Sequence, residues 1–218
     1  MALRIRDFQA AGYRSLRSIR MPVGQLSVFL GSNGAGKTNL YRALQLLQAS
    51  AAGTLPQELA GEGGMQSALW AGDRIPGNSA TLTLSADFGQ SSDRNFYRYG
   101  LTVGLSRSAT DEDGIAHALG NSFALEAQVK EETFVFQDGR RSEKLLERRG
   151  PYLVARDEAG VRQEIDRELM ASETALGSLQ DPSRFPDLYA IQRTMLIGAF
   201  ITICAPIWPH RCAGPVLR

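Results

Sequence analysis

A glycine-studded run at residues 31–39 constrains this chain more than any other stretch. Gly31, Ser32, Asn33, Gly34, Ala35, Gly36, Lys37 and Thr38, followed by Asn39, satisfy G-x-x-x-x-G-K-[ST], the pattern of a phosphate-binding loop. Each residue type answers a separate physical need. The glycines let the backbone curl so that successive N–H groups point inward at phosphate oxygens. Lys37 is placed to reach the β- and γ-phosphates of a nucleoside triphosphate, and the Thr38 hydroxyl to hold Mg²⁺. A helix that starts here aims its positive N-terminal end at the same anion.

The flanks fit that geometry. Leu26, Ser27, Val28, Phe29 and Leu30 predict a short buried strand ending at the loop. Residues 39–50 predict a helix, with Leu40, Leu44 and Leu47 at i, i+4 and i+7 and almost no charge, so it should lie largely buried under a sheet. Gly53 and Pro56 end it. The plainer reading of the run, a glycine-rich turn that binds nothing, requires no such neighbours.

Composition sets few further bounds. A hydrophobic fraction of 43% over 218 residues is enough for a real core in one large domain or two small ones. The formal net charge of +1 gives no global field toward nucleic acid or an anionic membrane. The only cysteines, Cys204 and Cys212, offer no disulfide framework and no zinc spacing, which suits a reducing cytoplasm. The first residues alternate like a strand and lack a signal-peptide core. The apolar stretch at residues 195–208 contains Pro206 and falls short of the ~20 residues of a membrane-spanning helix.

Along the chain, Leu3, Ile5 and Phe8 mark a first strand, and residues 15–21 its partner. Residues 53–78, rich in Gly, Ala and Pro, read as a long loop or short helices. Strands are expected at residues 81–84, 97–105, 123–129 and 133–136, with Asp138-Gly139 as a hairpin turn. Residues 152–155 and 161–165 form a further hairpin, and residues 170–179 and 187–196 read as helices. One helix followed by about six strands does not match the strand–helix alternation of a simple Rossmann-like kinase. The expected fold class is α/β, in the mixed α+β sense: a strand–loop–helix core of the P-loop NTPase type with a small parallel sheet, and an added antiparallel β-sheet covering it.

Tyr13-Arg14-Ser15-Leu16 at the end of the first strand, and G-x-N-G-x-G-K-[ST]-N at residues 31–39, together resemble the nucleotide-binding head of ABC-type ATPases related to RecF, Rad50 and SMC proteins, closest to RecF-like AAA-family ATPases. Asn33 and Asn39 carry most of the distinction from kinases and GTPases. The resemblance is specific over residues 1–50 and loose from there to about residue 196. It implies an N-terminal lobe at residues 1–196, ATP and Mg²⁺ as cofactors, and the loop of this Walker A pattern as the binding site. Such heads hydrolyse ATP when two of them sandwich the nucleotide, one supplying a Walker B carboxylate pair and the other a signature motif. Neither motif stands here. Asp157-Glu158 follows an apolar run that Arg156 interrupts, and Gly160 makes it a hairpin tip. His117 and His210 offer no general base. The chain thus resembles the N-terminal half of a head: nucleotide capture without turnover, with a head-to-head dimer or a complementing C-terminal half as partner. Gln180 is a candidate for the family's Q-loop glutamine, beside its plainer reading as a helix-end residue. The alternatives are an inactive remnant that binds no nucleotide, or a small P-loop kinase or GTPase, for which the required aspartate and Asn-Lys-x-Asp motifs are missing.

Three further signals stand apart. Residues 197–218 lose periodicity and gather both cysteines, so this atypical tail is either a natural short segment or the product of a reading-frame slip from Ile197. Arg14, Arg17 and Arg20, and Arg140, Arg141, Arg148 and Arg149, form two basic groups that could meet DNA, although Glu143 and Glu147 interleave with the second as on a solvated face. Trp70, beside Gly72, reads either as a loop anchor or as a base-stacking surface.

Overall fold

The computed structural model describes residues 3–72, 80–90, 93–105, 126–166 and 169–198. His117, His210, both cysteines and the tail from residue 199 lie outside the described residues. In chain order the elements are β1 (Ile5–Tyr13), β2 (Leu16–Pro22), α1 (Lys37–Ala52), α2 (Leu55–Gly61), α3 (Met65–Ala68), β3 (Thr81–Phe88), β4 (Asn95–Leu105), β5 (Ala127–Asp138), β6 (Arg141–Arg149), β7 (Tyr152–Arg156), β8 (Arg162–Glu164), α4 (Ala175–Ser178) and α5 (Pro186–Gly198).

The eight strands form a single sheet in the order β2-β1-β3-β4-β5-β6-β7-β8, antiparallel at every junction. Period-2 alternation decides which face is buried. Leu82, Leu84, Ala86 and Phe88 of β3, and Tyr99, Leu101 and Val103 of β4, point inward. The opposite face is polar: Arg98 grips Asp87 through two hydrogen bonds of 2.6 and 2.8 Å, and Arg20 pairs with Asp7 at 3.1 Å. Helix α1 packs against β1 and β3, with α2, α4 and α5 beside it.

Helix α1 is buried as its apolar period requires. Leu44, Leu46 and Leu47 are buried, and each such side chain contributes about 1.5–3 kcal/mol. Gly53 ends the helix in the left-handed region at φ 75°, its N–H donating to the Ala49 carbonyl. Here α1 meets α4 backbone to backbone: a Cβ on Gly177 would stand 2.7 Å from the Gly53 Cα.

The antiparallel sheet, the α1 helix and the hairpin of residues 152–165 match expectation. Four expectations fail: the strand at residues 26–30, the small parallel sheet, the division of residues 123–136 into two strands, and the full length of the helix at 170–179. Residues 26–30 form no strand; Leu26, Val28 and Leu30 are 85%, 70% and 89% exposed. The sheet keeps a free side at each of its edges, β2 and β8, but residues 26–30 pair with neither, and without a ladder partner an apolar run is not a strand; no parallel pair exists among the described residues. The two strands expected at 123–129 and 133–136 are one strand, β5, with residues 123–125 outside the described residues; a bulge at the β4 junction lets it run through unbroken. The helix expected at 170–179 shrinks to the four residues of α4. Strand β6 was not foreseen, because Arg141, Ser142, Glu143 and Lys144 at its start are all exposed and carry no apolar alternation.

Candidate phosphate-binding site

The loop has the backbone that the sequence demands of it. Gly34 and Gly36 sit at φ 84° and 89°, the left-handed region where a Cβ is strained. The Ala35 N–H donates to the Ser32 carbonyl at 3.2 Å, closing a turn. Gly36 is the N-cap of α1, and the Leu40 N–H donates back to its carbonyl at 3.0 Å. Lys37 and Thr38 therefore occupy the first helical positions, where N–H groups have no intrahelical partner and the dipole favours an anion. Thr38 is exposed, and Lys37 half-buried. The Lys37 ammonium folds over the loop and donates to the carbonyls of Gly31 and Ser32 at 2.7 and 2.8 Å. Gly31, Ser32, Asn33, Gly34 and Ala35 are exposed, so the cradle opens to solvent. The donor set (N–H groups, an ammonium and a hydroxyl on a helix start) suits a polyphosphate with its Mg²⁺; among the described residues no cluster of three or more His, Cys, Asp or Glu could hold a metal by itself.

The turn between β1 and β2 lies against the loop. The Asn39 amide donates to the Ser15 hydroxyl at 2.7 Å, and a Cβ on Gly36 would stand 3.2 Å from the same oxygen. Behind the turn, the Tyr13 hydroxyl donates to both Glu62 carboxylate oxygens, at 2.7 and 2.8 Å, and the Arg14 guanidinium bridges to Glu62 at 2.8 Å. Burial, then the Glu62 carboxylate, pushes the Tyr13 phenol far up, so it stays a donor.

A second polar cluster lies deep between sheet and helices. Glu132, fully buried, accepts hydrogen bonds from the Tyr99 hydroxyl at 3.0 Å and from the N–H groups of Leu176 and Ala175 at 2.8 and 2.6 Å. Arg148 is its cross-strand partner in register and donates to the carbonyls of Gly150, Met170 and Glu173. Burial raises the Glu132 carboxyl above its ordinary range, against the pull of the two N–H donors, Tyr99 and Arg148. The same burial lowers Arg148. Thr174 donates to the Ser50 carbonyl at 2.6 Å and Gln192 to the Ala51 carbonyl at 3.0 Å, tying this cluster to the end of α1.

The remaining candidates sort differently from the sequence reading. Asp157 and Glu158 form the turn between β7 and β8, where Asp157 accepts the Val161 N–H at 2.8 Å. Gln180 is exposed on the connection from α4 to α5, donates to the Gly177 carbonyl at 2.8 Å and lines a cavity of about 540 Å³ with Glu164, Asp166, Asp181 and Arg184. Trp70 is a loop anchor: its backbone N–H donates to the Gly12 carbonyl at 2.8 Å, its ring lies across Gly72, and the Arg17 guanidinium covers the ring at 5.5 Å. The basic groups do not form clear surfaces. Arg14 and Arg20 are ion-paired, Arg149 reaches Glu131 and Glu147, and Arg148 is 1% exposed, a correction that follows from its inward place on β6. Sequence reasoning missed Ser15, Glu62, Glu132 and Arg148 as partners in polar networks. For Ser15 the signal was present, in its place beside Arg14 at the hairpin turn; for Glu132 it was not, because a bulge sets which side of β5 faces inward.

No helix among the described residues is long and apolar enough to cross a membrane. Comparison with curated proteins found no match, and comparison with solved structures found none. A family model does match, over residues 26–142, from the apolar run before the loop to the start of β6. That span exceeds half of the 218 residues, and with the loop geometry above it fixes the kinship: the chain belongs to the AAA-domain family described as AbiEii toxin-like, of the type IV toxin–antitoxin system kind.

Proposed function

We propose that this protein binds ATP with Mg²⁺ at residues 31–39, as the N-terminal half of a RecF/SMC/Rad50-like ATPase head. The observation that carries the reading is the loop itself: left-handed Gly34 and Gly36 leading into a helix whose first residues are Lys37 and Thr38. In this reading the loop N–H groups and the Lys37 ammonium, released from its two carbonyls, take the phosphates, and the Thr38 hydroxyl takes Mg²⁺. Hydrolysis then depends on a carboxylate base and a signature motif that another chain supplies, through a head-to-head dimer or a complementing C-terminal half. The exposed apolar residues 26–30 support that dependence, because strand-forming side chains left in solvent call for partners from elsewhere. DNA contact gains little support, with most of the candidate arginines engaged internally.

Titration calorimetry with ATP and Mg²⁺ tests the reading. Wild type should bind, and Lys37→Ala should weaken binding by roughly 100-fold or more, the scale of a lost charge-assisted contact, with an unchanged melting temperature. Equal binding by the two proteins refutes the assignment, and no binding by wild type favours an idle, inherited loop. Turnover by the chain alone, with or without DNA, would refute the dependence on a second chain.

A further inference from the structure

We infer that Ser15 is a positioning residue for the phosphate loop, acting through Asn39. The inference rests on the reading of residues 31–39 as an ATP site. Among the described residues, the bond from the Asn39 amide to the Ser15 hydroxyl, 2.7 Å, is the one side-chain hydrogen bond that ties the first turn of α1 to the sheet. It acts at the point of greatest consequence. Asn39 follows Thr38 directly, and the Ser15 oxygen also abuts Gly36, the cap of the helix, where it would stand 3.2 Å from an added Cβ. Core packing places the body of α1, Leu40 included, while the polar side of its first turn, with the Lys37 stem and the Thr38 hydroxyl, is held by an oxygen on the β1–β2 turn. The rest of the loop cannot hold that side, since residues 24–35 are exposed and Lys37 bonds only to loop carbonyls.

The turn that carries Ser15 is fixed from behind. Arg14 sits at φ 46°, a left-handed conformation that a side-chain-bearing residue seldom adopts. Three contacts hold it there: its N–H donates to the Ala68 carbonyl at 2.9 Å, its carbonyl accepts the Ala71 N–H at 3.2 Å, and its guanidinium is paired with Glu62. A backbone state so unfavourable persists only where the surroundings over-determine it, and such states gather at functional loops. Here the over-determined residue immediately precedes Ser15. The chain of support runs from α2 and α3, through the twisted turn, to the Ser15 oxygen, Asn39 and the loop. Positioning of this kind tightens binding by removing freedom that the ligand would otherwise have to freeze out.

A double-mutant cycle read by MgATP calorimetry tests the inference, with Ser15→Ala, Asn39→Ala and the pair together. Each single variant should bind about three- to tenfold more weakly, the range of one neutral hydrogen bond, and the double variant no more weakly than either. Ser15→Thr, which keeps the hydroxyl, should restore most of the affinity. Melting temperatures should not follow the affinities, because the bond is exposed and one of many that hold the fold. Additive losses, equal binding by all variants, or affinity that falls in step with melting temperature would overturn it. If wild type binds MgATP, Lys37→Ala does not and Ser15→Ala binds like wild type, this inference fails while the ATP site stands. If wild type takes up no MgATP, both fall.

Discussion

The phosphate loop and the Glu132–Arg148 cluster are built on opposite terms. The loop is exposed from residue 24 to residue 35, held by a few hydrogen bonds of its own and, just after it, by one that Asn39 donates to Ser15. The cluster is fully enclosed, and its carboxylate is satisfied by a phenol and two backbone N–H groups. One region keeps its donors open to solvent, where a ligand can reach them. The other spends every donor on the protein itself, joining β4, β5, β6 and α4. On the proposed reading, the loop's polar groups serve binding because they are left accessible, and the cluster's serve architecture because they are not.

That contrast can be broken at several points. The largest effect is expected from Glu132→Ala, which leaves two N–H groups and the Tyr99 hydroxyl buried without their acceptor and the Arg148 charge without the carboxylate that opposes it. It should destabilise the fold by about 3–5 kcal/mol in urea unfolding; a cost below ~1 kcal/mol would mean that water reaches the cluster. Lys37→Ala should do the reverse, abolishing nucleotide binding with no loss of stability. A smaller effect is expected from pH. The Glu132 carboxyl is raised chiefly by burial, so the folded state holds its proton more tightly than the unfolded chain. Its contribution is fully present below about pH 4.3, the ordinary glutamate value, and is lost as pH rises through the higher folded value. Glu132→Gln should remove that fall from the stability–pH curve. Glu147 works in the opposite sense, lowered mainly by its hydrogen bond from Lys144, and it is common to both proteins, so its acid-side loss cancels in the comparison. The smallest effect is expected at Leu30, where Leu30→Ser should change stability by less than ~0.5 kcal/mol, as at any exposed position. A larger change would show that residues 26–30 are covered in solution.

The two regions also differ in how far the sequence disclosed them. Residues 31–39 were readable because a local motif fixes local backbone: glycine at 34 and 36 and a helix after Lys37 need no knowledge of the rest of the chain. Helix α1 and the Asp138-Gly139 hairpin were readable for the same reason. The cluster depends on register. Glu132 faces inward only because a bulge at the β4 junction shifts the parity of β5, and Arg148 is drawn in as its cross-strand partner on β6, whose charged start masks it as a strand. Residues 26–30 mark the other limit. Their composition favours extended backbone, but a strand exists only with a neighbour, and they pair with neither open edge of the sheet, β2 or β8. The tie between Ser15 and Asn39 spans 24 positions, beyond the reach of any local pattern.

The bare run at residues 26–30 has a consequence for the life of the protein in a cell. It is five residues long, free of charge and proline, and rich in side chains that favour extended backbone, which is the composition from which intermolecular cross-β contacts nucleate. On the proposed reading, a chain that covered the run would protect this protein as well as complete its site. Copies in which the run stays bare face precipitation or proteolysis, so its exposure sets a ceiling on how much of this chain can accumulate alone.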